Sequence, residues 1–143
     1  MSATKILKLM KEKEVDYVDL RFTDPRGKLQ HVTMDGKIVD EEMLNKGVYF
    51  DGSSIAGWKA INESDMILKP DLERKVIDPF TSHNTLILFC DVLDAVKKDP
   101  YERDPRSTAK KAEIYLKKSG IGDKAYFGPE AEFFVFDDVR YKN

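Results

Sequence analysis

The hydrophobic residues near the start of the chain change from a helical to a strand spacing. Over residues 4–14 they recur at three- and four-residue intervals, which predicts a short amphipathic helix. Over 15–22 and again over 28–34 they alternate with polar residues, as they do on half-buried strands. Between these strands, residues 24–27 read Asp-Pro-Arg-Gly, in which proline and glycine favour a hairpin turn. A helix packed on a hairpin predicts a small α+β unit.

Further elements are predicted along the rest of the chain. A short helix over 40–46 is ended by Gly47, and two strands are predicted over 65–68 and 85–92. An apolar strand interrupted by two glutamates is predicted over 125–136. A strand this apolar needs partners on both sides, and the chain offers little after it. We therefore expect the sequence to be cut out of a longer protein.

A domain boundary is predicted where turn-forming residues are densest in the second half of the chain. Asp104 and Pro105 are the residue types typical of the N-cap and the first turn of a helix, and Gly120 is typical of its end. We expect residues 1–103 to form one domain and residues 104–143 to begin a second, truncated one. The side of this helix that is expected to face inward carries Ala109, Ala112, Tyr115 and Leu116.

Charge and composition exclude several classes of protein. The 24 basic and 26 acidic side chains give a net charge of −2, so we expect no broad positive field for nucleic acid or an anionic membrane. No apolar run approaches the roughly 20 residues that span a bilayer, and no signal peptide is evident. The single cysteine, Cys90, lies in an apolar run and indicates a buried thiol in a reducing cytoplasm.

Glu130 and Glu132 are candidate metal ligands. Two residues apart on a strand, their side chains leave the same face, and aromatic residues surround them. Carboxylates amid aromatic residues are costly to bury unless they share a cation or hydrogen-bond donors, and oxygen ligands suit Mg²⁺ or Mn²⁺. The alternative from spacing alone is that both glutamates lie on the wet face of a half-buried strand.

A loop of small residues, Asp51-Gly52-Ser53-Ser54, is a second candidate site. Such a loop can bring backbone N–H groups and a carboxylate close to a ligand, although it matches neither a Walker loop nor a dinucleotide fingerprint. The alternative is a plain turn in which Asp51 caps the neighbouring amides. Trp58, shortly after it, is either a core anchor or a cover for a site. The two histidines, His31 and His83, are expected in a strand pair and a polar loop.

Taken together, four motifs in order resemble the glutamine synthetases, most closely the bacterial class I type. Phe50-Asp51-Gly52-Ser53-Ser54 is followed at the expected interval by Glu63-Ser64-Asp65 and Leu68. Then come Asp91-Val92, Asp104-Pro105-Arg106 and Phe127-Gly128-Pro129-Glu130-Ala131-Glu132-Phe133. The similarity extends over essentially all 143 residues.

This resemblance implies a fold and a site. It implies a β-grasp N-terminal domain followed by the first helix and strand of the catalytic domain, in a homo-oligomeric ring whose active sites form between subunits. Glu130 is implied as a ligand of the Mg²⁺ or Mn²⁺ on the nucleotide side, and Glu132 as a ligand of the ion near the amino-acid substrate. Asp51 would bind ammonium and accept its proton, and Ser54 would latch the loop across the interface.

The resemblance also implies an activity. The family uses ATP to convert glutamate and ammonium into glutamine through γ-glutamyl phosphate. Its catalytic domain is much longer and supplies further metal ligands and nucleotide-binding segments, so we expect this chain alone to be inactive. Two alternatives stay open: a γ-glutamyl–amine ligase that takes an amine in place of ammonia, and a stand-alone β-grasp module that binds a partner without catalysis.

Overall fold

The computed structural model describes residues 1–58 and 64–142, so Glu63 of the stretch Glu63-Ser64-Asp65 lies outside the described residues. In this part of the chain, helices and strands follow the order predicted from the hydrophobic pattern, except that one strand is added and the strand predicted over 125–136 is missing. They are α1 (Ala3–Glu12), β1 (Tyr17–Thr23), β2 (Leu29–Asp35), α2 (Glu41–Lys46), β3 (Val48–Asp51), β4 (Asp65–Ile77), β5 (Thr85–Asp94) and α3 (Pro105–Ser119).

The five strands form one sheet in the order β2-β1-β5-β4-β3. The central pair, β1 and β5, is parallel, with Tyr17 opposite Thr85, whereas every other neighbouring pair is antiparallel. Two segments distant in sequence therefore meet at the middle of the sheet. This arrangement confirms the predicted α+β class and the predicted hairpin of β1 and β2.

The hydrophobic core joins α1 and α2 to one face of the sheet. The alternating residues of β1 face this core as predicted, and Ile6 and Met10 of α1 are buried with them. Alternate positions of β1 point to the opposite face, where Asp19 is nevertheless only 4% exposed. The other large side chains that are almost completely buried are Leu20, Leu44, Met66, Ile67, Leu68, Leu86, Leu88, Val18, Val92, Asp104 and Cys90.

Strand β3 was absent from the prediction, and β4 is longer than the predicted 65–68. The short helix before β3 is capped by Asp40, whose side chain accepts the N–H of Met43 at 2.7 Å, and it ends at Gly47. Strand β3 then pairs with the start of β4. Further along β4, the four residues between Pro70 and Lys75 lie opposite a single residue of β5, which is an irregular bulge.

Helix α3 begins and ends as predicted, but its predicted inward side is wrong. Asp104 caps it, Pro105 opens it and Gly120 ends it. However, Ala109, Ala112 and Tyr115 are exposed and Leu116 is only half-buried. The physical reason is that α3 contacts the sheet through its first two turns, where polar residues hold it. No helix in the described residues is long and apolar enough to cross a bilayer.

The strand predicted over 125–136 does not form. Residues 121–142 follow an irregular path, and the apolar side chains of this segment are exposed. A strand requires a neighbour to accept and donate its backbone hydrogen bonds, and this segment pairs with neither edge of the sheet. Local apolar character alone therefore does not produce a strand here.

Candidate functional site

Asp51 lies at the end of β3, where it opens the segment 51–58 that we call the Asp51 loop. Its backbone pairs with Asp65 at the last register position of β3 and β4. Its exposed carboxylate accepts the N–H of Ser53 at 2.8 Å and so caps a single 3₁₀ turn, Gly52–Ser54. Hydrogen bonds from Ser53, and a smaller one from Ser64, hold the pKa of Asp51 below its usual range. The loop thus presents an ionised carboxylate to solvent.

Gly52 allows the Asp51 loop to approach β4 closely. Its N–H donates to the carbonyl of Ser64 at 2.7 Å. A Cβ atom at this position would clash with the sulfur of Met66 and lie 2.8 Å from the Cγ of that side chain. Since Met66 is completely buried, only a residue without a side chain fits without moving the core. Gly52 therefore sets the position of Asp51 and of Ser54, which is exposed on the same turn.

Trp58 anchors the other end of the Asp51 loop. Its side chain is 6% exposed and its ring packs in an aromatic cluster with Phe22, Phe50 and Tyr101. The centroid distances from Trp58 to these rings are 5.6, 6.2 and 5.6 Å, respectively, and two of the contacts are edge-on. Of the alternatives left by the sequence, the structure supports a core anchor. Within the described chain, its indole N–H has no hydrogen-bond partner.

An ion-pair network that sequence reasoning missed joins α3 to the sheet. Arg106 donates from Nε to Asp91 at 2.7 Å and from a terminal nitrogen to Asp71, and Lys110 also pairs with Asp91. Asp71 lies in the bulge of β4, so three separate elements meet here. The motifs containing Asp91 and Arg106 could be read from the sequence, but their partnership depends on the register of β5.

A second polar cluster lies on the sheet face away from the core. Asp19 accepts hydrogen bonds from Arg21 at 2.7 Å, His31 at 2.8 Å and Thr33 at 2.7 Å, and Arg21 also pairs with Asp78. Burial would raise the pKa of Asp19, but these hydrogen bonds outweigh it and lower the pKa. His31 lies in a strand pair and His83 in the loop after β4, as predicted.

The two candidate metal ligands lie apart from any organised ligand set. Glu130 and Glu132 are both exposed on the irregular segment after α3. In residues 1–58 and 64–142, no three His, Cys, Asp or Glu side chains are grouped so as to hold an ion. Both carboxylates have the oxygen chemistry that Mg²⁺ and Mn²⁺ accept, and these ions fill most of their shell from other sources. Their roles stay predictions.

Two models of known protein families match this chain, and between them they cover most of it. A family model described as the β-grasp domain of glutamine synthetase matches residues 14–95. A second, described as the catalytic domain of glutamine synthetase, matches residues 102–143. The β-grasp prediction is thereby confirmed for the first part of the chain.

Individual relatives agree with the family models. The chain is 65% identical over 141 residues to a glutamine synthetase of Rhizobium meliloti strain 1021, with 99% of this chain and 30% of the relative covered. It is 59% identical over 141 residues to one of Methylococcus capsulatus strain Bath, with the same coverage of both chains. The chain thus spans about 30% of the length of these curated relatives.

The fold has a counterpart among solved structures. A glutamine synthetase of Plasmodium falciparum, solved by cryo-electron microscopy, superposes with a TM-score of 0.75 at 23% identity. The superposition covers 84% of this chain and 23% of that one. At this level of identity the likeness concerns the fold.

Proposed function

Because the chain belongs to the glutamine synthetase family, we propose that it supplies the β-grasp domain and the first part of the catalytic domain of an ATP-dependent glutamate–ammonia ligase. The observation that carries the proposal is the Asp51 loop. This loop is held at both ends and presents an exposed, ionised aspartate. We assign residues 1–103 to the first domain and 104–143 to the second, and place the enzyme in the cytoplasm as a homo-oligomeric ring.

In this reaction ATP first phosphorylates the γ-carboxylate of glutamate, which releases ADP and forms an acyl phosphate. Ammonia then attacks the acyl carbon, phosphate leaves, and glutamine is formed. Ammonium itself has no lone pair, so a proton must be removed before the nitrogen can attack. A carboxylate near the acyl phosphate therefore has two tasks, namely to attract the cation and to accept its proton.

Asp51 is suited to the first of these tasks by its lowered pKa. Since the hydrogen bonds from Ser53 favour the ionised form, the carboxylate stays negative well below neutral pH and attracts ammonium. A carboxylate with a low pKa is a weak base, so at any moment only a small fraction of the bound ammonium has passed its proton to Asp51, and it is this ammonia that attacks the acyl carbon. Ser54, exposed on the same turn, would latch the loop across a subunit interface.

Glu130 and Glu132 are proposed to hold the divalent cations on the nucleotide side and near the amino-acid substrate, respectively. Their carboxylates fit Mg²⁺ or Mn²⁺, and both side chains are exposed and accessible. Such cations, when bound, offset negative charge on a phosphoryl group during its transfer. The remaining ligands would come from the rest of the catalytic domain.

The test is glutamine formation by the full-length ligase with Asp51→Asn. We expect the Michaelis constant for ammonium to rise and turnover to fall at least tenfold, a loss on the order of one charged hydrogen bond. Asp35→Asn is a matched control, because Asp35 also ends a strand, precedes a glycine and accepts an N–H at 2.8 Å. Equal activities of the two variants would contradict the role of Asp51.

The same assay separates the related activities. Methylamine offered in place of ammonium measures amine ligation, and a preference for the amine would move the proposal to a γ-glutamyl–amine ligase. The 143-residue chain by itself should release no ADP that depends on both glutamate and ammonium. Steady release of that kind would show that the proposed division of the active site is wrong.

A further inference from the structure

The segment between β5 and α3 reaches back to the Asp51 loop through Arg103. Its guanidinium donates from one terminal nitrogen to the carbonyl oxygen of Gly57 at 2.8 Å and to that of Trp58 at 3.4 Å. Two residues earlier, the ring of Tyr101 meets the ring of Trp58 edge-on at 5.6 Å. This segment, residues 101–104, therefore contacts both the backbone and the aromatic anchor of the loop.

The same segment is firmly attached to the rest of the molecule. Tyr101 donates its N–H to the carbonyl of Val92 in β5 at 2.9 Å, and Asp104 donates its N–H to the carbonyl of Tyr101 at 3.2 Å. Asp104 is completely buried and accepts the hydroxyl of Ser107 at 2.6 Å. Arg103 thus extends from a fixed base rather than from a free loop.

The two ends of the Asp51 loop are held by different means. At its start, β3 pairing and the bond from Gly52 to Ser64 define the backbone. At its far end, Gly57 has φ +86°, a left-handed conformation that orients its carbonyl and that glycine adopts without strain. The Arg103 guanidinium donates to this carbonyl and to the next one. Because the donor is charged, these hydrogen bonds are stronger than those from a neutral donor.

We propose that Arg103 is a positioning residue that fixes the far end of the Asp51 loop and thereby sets where Asp51 and Ser54 stand. The functional part of this inference rests on the proposed function, because it is the ammonium site that the loop would carry. It also implies that the segment leading into α3 and the Asp51 loop move as one unit.

The structural part is testable in this chain because Trp58 is its single tryptophan. In Arg103→Gln we expect Trp58 emission to shift to longer wavelength and its acrylamide quenching constant to rise roughly twofold, because the loop opens locally. Arg103→Lys should fall between wild type and the glutamine variant, since an ammonium lacks the planar fork of a guanidinium. Arg140→Gln is the control, as it removes the same charge from an exposed ion pair with Asp138.

Each result decides the structural part. Wild-type emission and quenching in Arg103→Gln would overturn it. If circular dichroism shows that Arg103→Gln is unfolded, the lysine variant decides: a folded protein with intermediate quenching supports the inference. Loss of folded structure in both variants would make Arg103 a general stability residue and would overturn the positioning role.

Full-length ligase decides the functional part. Arg103→Gln should raise the Michaelis constant for ammonium at least fivefold and leave that for glutamate unchanged, with Arg103→Lys in between, because Arg103 acts only through the loop. If Arg103→Gln alters the fluorescence but leaves the Michaelis constant for ammonium unchanged, only the functional part of the inference is overturned. Absence of ligase activity in the wild-type enzyme would refute the proposed function and leave the fluorescence result standing.

Discussion

Arg106 donates from Nε to the Oδ1 atom of Asp91 at 2.7 Å, and this bond fastens the first turn of α3 to β5. The same guanidinium pairs with Asp71 in the bulge of β4. The bulge therefore has a structural role, because it brings a carboxylate to the point where the helix leaves the sheet. The apolar side of α3 beyond this point is uncovered in the described chain.

The ion pair predicts a measurable loss of stability in Arg106→Gln. Removing the guanidinium takes the ion pair from the partly buried carboxylate of Asp71 and leaves Asp91 with Lys110 alone, which should lower the free energy of unfolding by about 1–3 kcal/mol. Urea unfolding followed by circular dichroism measures this change. Arg140→Gln, which breaks an exposed pair, should cost no more than about 1 kcal/mol. Equal midpoints for both variants would contradict a structural role for Arg106.

Close packing at Gly52 predicts that Gly52→Ala destabilises the chain. The added methyl group meets the buried side chain of Met66 and must displace it, at a cost of about 1–3 kcal/mol. Thermal or urea unfolding gives the difference. Gly128→Ala is the matched control, because a Cβ atom there meets nothing within 4 Å and should leave the midpoint unchanged. An unaltered midpoint in Gly52→Ala would disprove the close approach.

Asp19 predicts a pH dependence in acid. Its pKa in the folded chain lies below the ordinary value of 3.8, so its ionised form stabilises the fold fully above that value. The stabilisation is lost as the pH falls through the lowered folded pKa. Free energies of unfolding measured between about pH 5 and about pH 2.5 should therefore decline more steeply in wild type than in Asp19→Asn. Identical slopes would show that the pKa of Asp19 is the same in the folded chain as in the unfolded chain.

Burial of Cys90 predicts a thiol that is protected until the chain unfolds. The side chain is 1% exposed, and burial raises the pKa of its thiol, so little thiolate is present to react. In native buffer at pH 8, modification by a disulfide reagent should be at least about a hundredfold slower than that of free N-acetylcysteine. In denaturant the two rates should converge. A comparable rate in native buffer would mean that the thiol is accessible in the folded chain.

Local signals in the sequence predicted most of the helices and strands. Periodicity placed α1, β1 and β2, and the residue types at Asp104, Pro105 and Gly120 placed both ends of α3. Strand β3 was missed because it is four residues long and runs directly into the small residues of the Asp51 loop. The apolar segment 125–136 was wrongly predicted as a strand, because periodicity does not report whether a backbone partner is present.

The candidate site was likewise predicted only in part. Asp51, Ser54, Glu130 and Glu132 were chosen from motifs, whereas the residues that support the loop were not foreseen. Alternation counts Asp19 among the polar positions of a half-buried strand, yet its side chain is buried and accepts hydrogen bonds from both strands of the hairpin. Arg103 carried no local signal at all, since its partners are 45 and 46 residues away in the chain.

By itself, the sequence determined the local elements, the turn and cap residues and the order of the motifs, because each depends on neighbours a few positions apart. Only the tertiary structure decided which of these elements meet. The antiparallel pairing of β4 with β5 and the bulge in β4 bring Asp71, Asp91 and Arg106 together, and the aromatic cluster brings Trp58 to Tyr101. Such contacts depend on strand order and register, which are set by burial of the whole core rather than by any short stretch of chain.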